Sequence, residues 1–352
     1  MKWDFCVGNP AYQETQNATS DKPVYNYFMD EAEKIADKVE MITPARFLFN
    51  AGKTPKAWNE KKLQDGHFKV LSYEPESKKV FPNAEIKGGV VISYRDSSKD
   101  FGKIEVFTQN SELNSALIKV KAHMNQAVSS IVFSPESYKF TPDLYAEHPE
   151  LREMKTEIDG KMVPLISKGH NFDLTSNVFE KLAGIVFFEK CPENEDEYIQ
   201  VLGRKNSVRC QMWMKRKYVA PHANLEKYKL AFPKVNGAGS FGETLTPPVV
   251  IGPEVAHTQT FLSMGVFQTA AEAHNLETYL KSKFARALLG ILKVTQDNKK
   301  RVWRYVPLQD FTENSDINWN TSIANIDKQL YKKYGLSQEE IDFIETHVKE
   351  MV

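Results

Sequence analysis

The sequence lacks any long apolar run. None of its segments approaches the roughly 20 uncharged residues that a transmembrane helix needs. The N-terminal stretch MKWDFCVGNPAYQ has too short an apolar run, and an aspartate too early in it, for a secretory signal peptide. These two absences predict a cytoplasmic protein without a membrane partner.

Cysteine is scarce. The 352 residues include three cysteines, Cys6, Cys191 and Cys210, which are widely spaced and show no pairing pattern. This usage argues against a disulfide framework and a zinc site, and it indicates a reducing compartment. The eight histidines are scattered without metal-like pairing to cysteine or carboxylate, so we expect no metal ion.

Net charge is also absent, because 46 Lys and Arg balance 46 Asp and Glu. Hydrophobic residues at 41% and charged residues at 26% are ordinary globular values, which excludes a largely disordered chain. At about 100–200 residues per domain, the length suggests two domains. Since the overall balance gives no argument for a polyanionic partner, the case for nucleic acid depends on where the basic residues lie.

The basic residues lie in two clusters. Segment 204–217 has six basic residues and no acid, and 281–304 has eight with one aspartate. Lysine and arginine that reach phosphates supply much of the affinity for DNA, and arginine can read guanine in the major groove. We predict contacts with double-stranded DNA from Arg204, Lys205, Arg209, Lys215, Arg216, Lys217, Lys299, Lys300, Arg301 and Arg304, the last four interleaved with Trp303 and Tyr305. The alternative is that these clusters are solvated faces.

Strands alternate with helices in the first third of the chain, a pattern typical of a parallel α/β sheet. Apolar periodicity predicts a buried strand over 3–7, a helix over 24–38 and strands over 39–43, 69–73, 89–94 and 104–107. Gly88-Gly89 before a strand predicts a bend or a close backbone approach. Later helices are predicted over 113–128, 269–292 and 337–349, the last with a capping box of Ser337 and Glu340.

The tetrapeptide Asn9-Pro10-Ala11-Tyr12 directly follows the first strand, at the end where ligands bind in open α/β sheets. The Asn9 amide oxygen and the Pro10 carbonyl can accept both N–H groups of an exocyclic amine, and Tyr12 can stack on its ring. Two acceptors aimed at one amino nitrogen draw its lone pair out of conjugation and make it more nucleophilic. The alternative is an ordinary turn, because Gly-Asn-Pro is common turn chemistry.

This motif resembles the Asn/Asp-Pro-Pro-Tyr/Phe hallmark of the N6-adenine DNA methyltransferases of restriction–modification systems. Further stretches resemble the same family in the right order: 4–13, 25–28, 41–47, 81–90, 265–267, 272–284, 295–307, 329–335 and 339–345. The resemblance implies an α/β fold: the second half of a Rossmann-like methyltransferase sheet, a partial catalytic domain, over 1–110. A connecting helix over 111–135, an α+β target-recognition domain over 136–310 and a C-terminal helical tail over 311–352 would follow.

The resemblance also implies an activity, the site-specific methylation of adenine N6 in DNA. The methyl group would pass from S-adenosylmethionine to a flipped adenine, which Asn9 and Pro10 orient and Tyr12 stacks upon. Ala11 departs from the hallmark, which has a second proline there, so the loop loses a constraint.

The family's cofactor site is a Gly-rich turn well upstream of this motif, and the sequence has no convincing strand–Gly-x-Gly–helix unit. No residue is therefore assigned to the cofactor. We expect a second polypeptide to supply the S-adenosylmethionine-binding half. That polypeptide, or a second copy of this chain, would cover the edge of the first strand.

Other functions remain open on these residues. The chain could be a non-catalytic, sequence-specific DNA-binding subunit, or an inactive remnant of a restriction–modification enzyme. A nuclease would need an acidic pair followed by a Glu-x-Lys-type element around a divalent metal. The nearest candidates are Glu226-Lys227 and Glu277–Lys281, and such fragments arise by chance.

Overall fold

A computed structural model describes residues 2–14, 22–158, 161–166, 169–192 and 194–351. The chain divides into two compact units, Met1–Asn114 and Ser115–Val352. Both are mixed α/β structures, and the described residues form several separate sheets. No helix in these described ranges is long and apolar enough to cross a membrane.

The N-terminal unit consists of a sheet with helices and short extra strands. Its elements are β1 (Trp3–Gly8), β2 (Gln13–Glu14), β3 (Lys22–Pro23), α1 (Tyr25–Ile35), β4 (Ala36–Pro44), α2 (Lys56–Gln64), β5 (Phe68–Glu74) and β6 (Val90–Asp96), followed by α3 (Ser111–His123), which runs into the second unit. Short 3₁₀ helices cover Ala45–Phe49 and Ser77–Lys79.

The main sheet of this unit has the strand order β1-β4-β6-β5. Strand β1 pairs with β4 in parallel, from Trp3 opposite Ala36 to Gly8 opposite Met41. Both β4 and β5 pair with β6 antiparallel. The predicted parallel sheet is therefore confirmed only for β1 and β4, which a helical crossover connects as parallel neighbours require. The chain returns from β5 to β6 without such a crossover, so that pair is antiparallel.

Strand β1 lies at the edge of this sheet. Trp3, Phe5 and Val7 alternate onto one face and are 73%, 46% and 70% exposed, whereas Cys6 on the other face packs against the core. The prediction of a buried strand is wrong for the first face, because the described residues leave it largely exposed, with one ring contact between Phe5 and Tyr94 at a centroid distance of 6.2 Å. An uncovered apolar edge strand is a surface that readily pairs with another chain.

One predicted helix end and one predicted strand in this unit are also wrong. Helix α1 ends at Ile35, because Ala36 is already extended (φ −132°, ψ 151°) and pairs with Trp3. The predicted strand over 104–107 is not a strand, because Glu105 has a φ of 61° that interrupts an extended chain. Its backbone N–H donates instead to the Leu63 carbonyl at 2.8 Å.

The core of the N-terminal unit lies between the sheet and its helices. One face of α1 buries Tyr25 and Met29, and Phe47 and Trp58 pack edge-on at a centroid distance of 5.3 Å. The Trp58 indole N–H donates to Asp30 at 3.0 Å, so its polar group is satisfied. This packing fixes the segments on either side of β4, from which the candidate site is built.

The C-terminal unit contains two larger sheets, β13-β12-β15-β7 and β11-β10-β14, and a separate β8-β9 pair. Its strands are β7 (Val132–Phe133), β8 (Lys155–Ile158), β9 (Lys161–Pro164), β10 (Tyr198–Lys205), β11 (Val208–Lys215), β12 (Tyr228–Pro233), β13 (Val249–Ile251), β14 (Val255–His257) and β15 (Phe261–Phe267). Its helices are α4 (Pro142–Glu147), α5 (Val178–Leu182), α6 (Ala270–Lys281), α7 (Lys283–Gly290), α8 (Ile323–Lys333) and α9 (Gln338–His347).

The helix predicted over 269–292 is two helices, and the helix predicted over 113–128 ends at His123. The break falls at Ser282, whose extended backbone stops α6 and whose hydroxyl accepts the Ala285 N–H at 3.1 Å. A serine in the middle of an apolar helical pattern can cap a new helix rather than continue the old one. The capping box of Ser337 and Glu340 is confirmed at the start of α9.

Asp327 on α8 is a buried carboxyl that accepts the backbone N–H groups of Lys283 and Phe284 at 3.1 and 2.9 Å. Burial raises the pKa of Asp327 to about 6 from 3.8. As the pH rises, this carboxyl therefore deprotonates in the unfolded chain before it does so in the folded protein. The stability that the protonated carboxyl contributes to the fold is complete below about pH 4 and is lost as the pH rises through about 6.

Asp327→Asn removes this titration. Between pH 4 and pH 7 we expect the difference in free energy of unfolding between wild type and variant to shift by about 2 kcal/mol in favour of the variant. Urea unfolding at both pH values measures this shift, with the exposed Asp342→Asn as the matched control. Parallel pH profiles for wild type and Asp327→Asn would contradict it.

Candidate functional site

The loop Asn9-Pro10-Ala11-Tyr12 leaves the carboxyl end of β1, and the Ala45–Phe49 3₁₀ helix leaves the carboxyl end of β4. Because β1 and β4 are parallel neighbours, both segments lie at the same end of the sheet. This is the position at which open α/β sheets bind ligands.

A cavity of about 760 Å³ opens at this end, and all of its lining residues belong to the N-terminal unit. Asn9, Pro10 and Tyr12 line it, so the structure brings the three predicted catalytic residues to one cavity. The remaining lining residues are Gln13, Pro23, Tyr25, Pro44, Arg46, Gly52, Lys53, Phe81, Ala84, Glu85, Ile86 and Lys87. The cavity therefore combines hydrogen-bond acceptors, aromatic rings and an excess of basic side chains.

Asn9 is exposed, and its side-chain amide has no hydrogen-bond partner among the described residues. Pro10 beside it is half-buried and fixes its own φ, which limits the directions its carbonyl can take. An amide oxygen and a carbonyl oxygen can thus face one ligand amine without first breaking a described hydrogen bond.

The Tyr12 ring is half-buried and meets Phe81 edge to face, with centroids 6.2 Å apart and an interplanar angle of 72°. Its backbone carbonyl accepts the Val24 N–H at 3.1 Å, which holds the loop in place. The Tyr12 hydroxyl is buried without a hydrogen-bond partner in the described chain, and burial raises its pKa. A buried hydroxyl without a partner is uncommon and indicates a site that a ligand or water completes.

Tyr25 lines the same cavity and is almost fully buried. Burial raises the pKa of Tyr25 to about 12, and the Thr54 side chain and then the Arg46 charge oppose that rise. Both phenols are therefore neutral at physiological pH, so the aromatic part of the cavity carries no negative charge that would repel an anionic ligand.

Gly88 and Gly89 lie at the turn before β6 with φ of 89° and 80°. The Gly89 carbonyl accepts the Ala45 N–H at 3.0 Å, and a Cβ on Gly89 would overlap the Glu74 carbonyl and lie 2.8 Å from Pro75 Cα. The predicted close backbone approach is confirmed. The hydrogen bond between Ala45 and Gly89 joins this turn to the start of the segment that carries Arg46.

Sequence reasoning did not identify Phe81, Arg46, Lys53 and Lys87 as site residues. Arg46 could have been found by the argument that identified Asn9, because it lies two residues after the end of a parallel strand. Phe81 and Lys87 come from the irregular connection between β5 and β6, whose path no periodicity predicts.

The basic residues of 204–217 lie on the β10–β11 hairpin and just after it, where several of them form ion pairs. Lys205 pairs with Glu189 at 2.7 Å and Arg216 with Glu226 at 2.7 Å. Lys215 and Lys217 share Glu147, and their hydrogen bonds lower the pKa of Glu147 to about 2.

Arg204 and Arg209 face each other across the β10–β11 hairpin, and both are exposed. Arg209 donates to the Pro247 carbonyl at 3.1 Å and lies over the Phe261 ring at 5.5 Å. Burial, followed by the neighbouring Arg204 charge, lowers the pKa of Arg209. Two adjacent cations at a hairpin tip favour an anionic partner.

The segment 299–304 presents Lys299, Lys300, Arg301 and Arg304 at the surface. Trp303 and Tyr305 are buried, and the Trp303 indole N–H donates to the Asn298 carbonyl at 2.9 Å. These two aromatics therefore pack inside the unit, and the interleaving seen in the sequence does not give an exposed stacking surface.

The basic residues of 281–293 stabilise the fold. Lys283 pairs with Glu345 at 2.6 Å, and the buried Lys293 pairs with Glu243 at 2.7 Å. Arg286 is also buried and donates to backbone carbonyls, including that of Lys281 at 3.1 Å. The solvated-face alternative is therefore wrong for Arg286 and Lys293, whose charges lie in the interior.

The described residues contain no group of three or more His, Cys, Asp or Glu that could hold a metal ion. The two nuclease candidates take part in ion pairs: Glu226 with Arg216, and Glu277 with Lys281 at 3.3 Å.

Comparison with known proteins bears on the N-terminal segment. Residues 1–81 match the family model of the Eco57I restriction-modification methylase. An uncharacterized adenine-specific methylase of Mycoplasma pneumoniae (strain ATCC 29342 / M129 / Subtype 1) is 32% identical over 95 residues, which is 26% of this chain and 22% of that protein. The resemblance to restriction–modification methylases is thus supported for residues 1–81, which include the Asn9–Tyr12 loop.

Two solved structures show weaker similarity. The type IIG restriction endonuclease BpuSI gives a TM-score of 0.30 at 9% identity, over 94% of this chain and 50% of that chain. The type IIL restriction-modification enzyme MmeI in complex with DNA gives a TM-score of 0.29 at 10% identity, over 98% of this chain and 56% of that chain. Scores this low do not establish a common fold. The match spans about half the length of these two structures. It spans 22% of the Mycoplasma pneumoniae methylase.

Proposed function

We propose that this chain carries the base-handling part of a site-specific adenine-N6 DNA methyltransferase of a restriction–modification system. One observation carries the proposal: Asn9, Pro10 and Tyr12 line one cavity at the carboxyl end of β1, and the Asn9 amide has no partner there among the described residues. The match of residues 1–81 to a restriction-modification methylase family supports it.

In this proposal the cavity receives an adenine flipped out of the DNA helix. The N6 amine donates one N–H to the Asn9 side-chain oxygen and the other to the Pro10 carbonyl, which turns its lone pair out of the ring plane. Tyr12 stacks on the base, and Phe81 packs behind Tyr12 at 6.2 Å and limits its tilt. These residues orient the nucleophilic nitrogen.

S-adenosylmethionine would supply the electrophilic methyl group. The described residues do not fit the Gly-rich turn that the family uses to bind it. Gly239 and Gly242 have positive φ. However, a Cβ on Gly239 would lie 2.6 Å from Thr295 Cα, and a Cβ on Gly242 would lie 2.8 Å from Val348 Cα, so the chain itself fills the adjacent space. We therefore assign cofactor binding to a second polypeptide.

The edge of β1 is the surface that we propose for this second polypeptide. One side of β1 pairs with no described strand. That side and the exposed Trp3, Phe5 and Val7 suit the addition of a strand and the burial of apolar area. The second unit would then contribute target recognition, with contacts to double-stranded DNA from the exposed basic residues.

Titration calorimetry with S-adenosylmethionine and a methylation assay test the proposed function together. We expect no micromolar binding of S-adenosylmethionine by the isolated chain, and methyl transfer to adenine in DNA once a cofactor-binding chain is present. Micromolar binding by the isolated chain would overturn the assignment of the cofactor to a partner. DNA binding without methyl transfer in the complete assembly would favour the non-catalytic DNA-binding subunit.

Salt dependence tests the proposed DNA contacts. Lys300 and Arg301 are exposed and have no ion-pair partner among the described residues, so Lys300→Ala/Arg301→Ala should lower the slope of log affinity against log salt by about 2. Lys215→Ala/Lys217→Ala is the matched control with a smaller expected effect, because both lysines already pair with Glu147. Equal slopes for the two double variants on a mixed-sequence duplex would contradict this distinction.

A further inference from the structure

Arg46 lies in the proposed adenine cavity but takes no part in handling the base amine. It follows Pro44, the last residue of β4, and it lines the same cavity as Asn9. In the sheet register, Gly8 before Asn9 lies opposite Met41 on β4. The two parallel strands therefore deliver an amide and a guanidinium to one opening.

The side chain of Arg46 is flanked by two glycines with left-handed backbones. A Cβ on Gly88, whose φ is +89°, would lie 2.6 Å from Arg46 Cγ. A Cβ on Gly52, whose φ is +88°, would lie 3.3 Å from Arg46 Cβ. Glycine adopts such conformations at little steric cost, and at both positions it leaves space for the arginine stem. This packing restricts where the guanidinium can go.

The Arg46 guanidinium has no hydrogen bond or ion pair with any described residue. Arg95 in the same unit, by contrast, pairs with Asp65 at 2.8 Å. Lys53 and Lys87 line the cavity beside Arg46, against a single carboxylate, Glu85. A positioned arginine without a described partner, in a cavity with excess positive charge, favours an anionic ligand with paired oxygens.

We propose that Arg46 binds a backbone phosphate of the nucleotide whose adenine occupies the cavity. This inference rests on the proposed function and deepens it, because the ligand becomes a nucleotide held at two points. Asn9 and Pro10 hold the base amine, and Arg46 holds the phosphate. Arg46 is thus a substrate-positioning residue that limits how far the flipped nucleotide can rotate or slide.

Ligand titrations followed by NMR test this inference on the full chain. The ligands are deoxyadenosine, deoxyadenosine 5′-monophosphate, thymidine 5′-monophosphate and inorganic phosphate. Wild type should bind the adenine nucleotide about tenfold more tightly than the nucleoside, because a charge-assisted hydrogen-bond pair is added. Arg46→Gln should abolish this preference, and Arg46→Lys should keep part of it. Lys61→Gln, which removes an exposed charge outside the cavity, should change nothing.

Two further variants separate this inference from the proposed function. Asn9→Ala should weaken nucleoside and nucleotide binding alike and leave their ratio unchanged. Gly88→Ala keeps the guanidinium but displaces its stem, so it should reduce the ratio even if Arg46→Gln fails to fold.

Each contrary outcome has a distinct meaning. Equal binding of nucleoside and nucleotide by wild type, or a preference retained in Arg46→Gln, would overturn the role of Arg46 and leave the base-handling role intact. Inorganic phosphate binding as tightly as the nucleotide would overturn the two-point nucleotide site. Equal binding of the adenine and thymine nucleotides, with no effect of Asn9→Ala, would overturn the proposed function and the adenine part of this inference, and it would leave Arg46 only as a phosphate-binding residue. No binding of any ligand would overturn both.

Discussion

Asn9→Ala is expected to abolish methyl transfer to DNA, with a loss of at least about 10²–10³-fold, while DNA binding persists. Under the proposed function, alanine removes the amide oxygen that would hold one N–H of the amine, so the nitrogen lone pair would stay conjugated with the purine. The exposed side chain has no described partner, so its removal leaves no buried group unsatisfied and should not lower stability. Transfer of labelled methyl groups, measured with the cofactor-binding chain present, checks this expectation.

Two companion variants sharpen the test. Asn9→Asp keeps an acceptor oxygen at the same position and should retain part of the activity. Asn83→Ala removes another exposed amide of the same unit that does not line the cavity, and it should behave as wild type. Activity that persists in Asn9→Ala would show that the loop is an ordinary turn. A parallel loss of DNA binding and thermal stability would show that Asn9 acts on the fold.

The first half of the candidate site could be predicted from the sequence because its members are neighbours in the chain. Asn9, Pro10 and Tyr12 share one loop, and an apolar run that ends in Gly-Asn-Pro places that loop at a strand terminus. Phe81 and Arg46 could not be assigned in the same way. They meet the loop only through the order of β1, β4 and β6 and the path of the connection before β6, and both depend on tertiary packing.

The same distinction explains the errors in the fold. Periodicity predicted the strands now labelled β5 and β6, because both carry runs of apolar and β-branched residues. It could not give their antiparallel direction, which depends on how the chain returns between them. Apolar periodicity also predicted one continuous helix across Ser282. There the hydroxyl accepts one hydrogen bond that caps α7 after the end of α6, without a visible change in apolar spacing.

Charge clusters in the sequence do not show which basic residues are paired in the folded protein. Segment 204–217 contains no acid, yet Glu147, Glu189 and Glu226 reach its lysines and arginines from other elements. A run of basic residues in sequence therefore overstates the positive charge available to DNA. The tip arginines, Arg204 and Arg209, and the exposed Lys300 and Arg301 form no ion pair among the described residues.

Gly89→Ala is expected to lower the free energy of unfolding by about 2–5 kcal/mol. Two costs combine: the φ of +80° is unfavourable for any residue with a Cβ, and that Cβ would meet the Glu74 carbonyl and Pro75 Cα, which are backbone atoms. A flexible side chain could rotate away, but backbone atoms of the preceding strand cannot. Urea unfolding followed by tryptophan fluorescence, to which the buried Trp58 contributes, measures the loss.

Gly102→Ala provides the matched control, because Gly102 has nearly the same φ of +79° and nothing lies within 4 Å of its Cβ. It should cost only the conformational term, about 1–2 kcal/mol. The difference between the two variants therefore isolates the close approach at Gly89. Because the Gly89 carbonyl accepts the Ala45 N–H, Gly89→Ala should also weaken nucleotide binding through the neighbouring Arg46, whereas Gly102→Ala should not. Equal costs for the two alanine variants would mean that the backbone around Gly89 yields, and that this turn does not position Arg46.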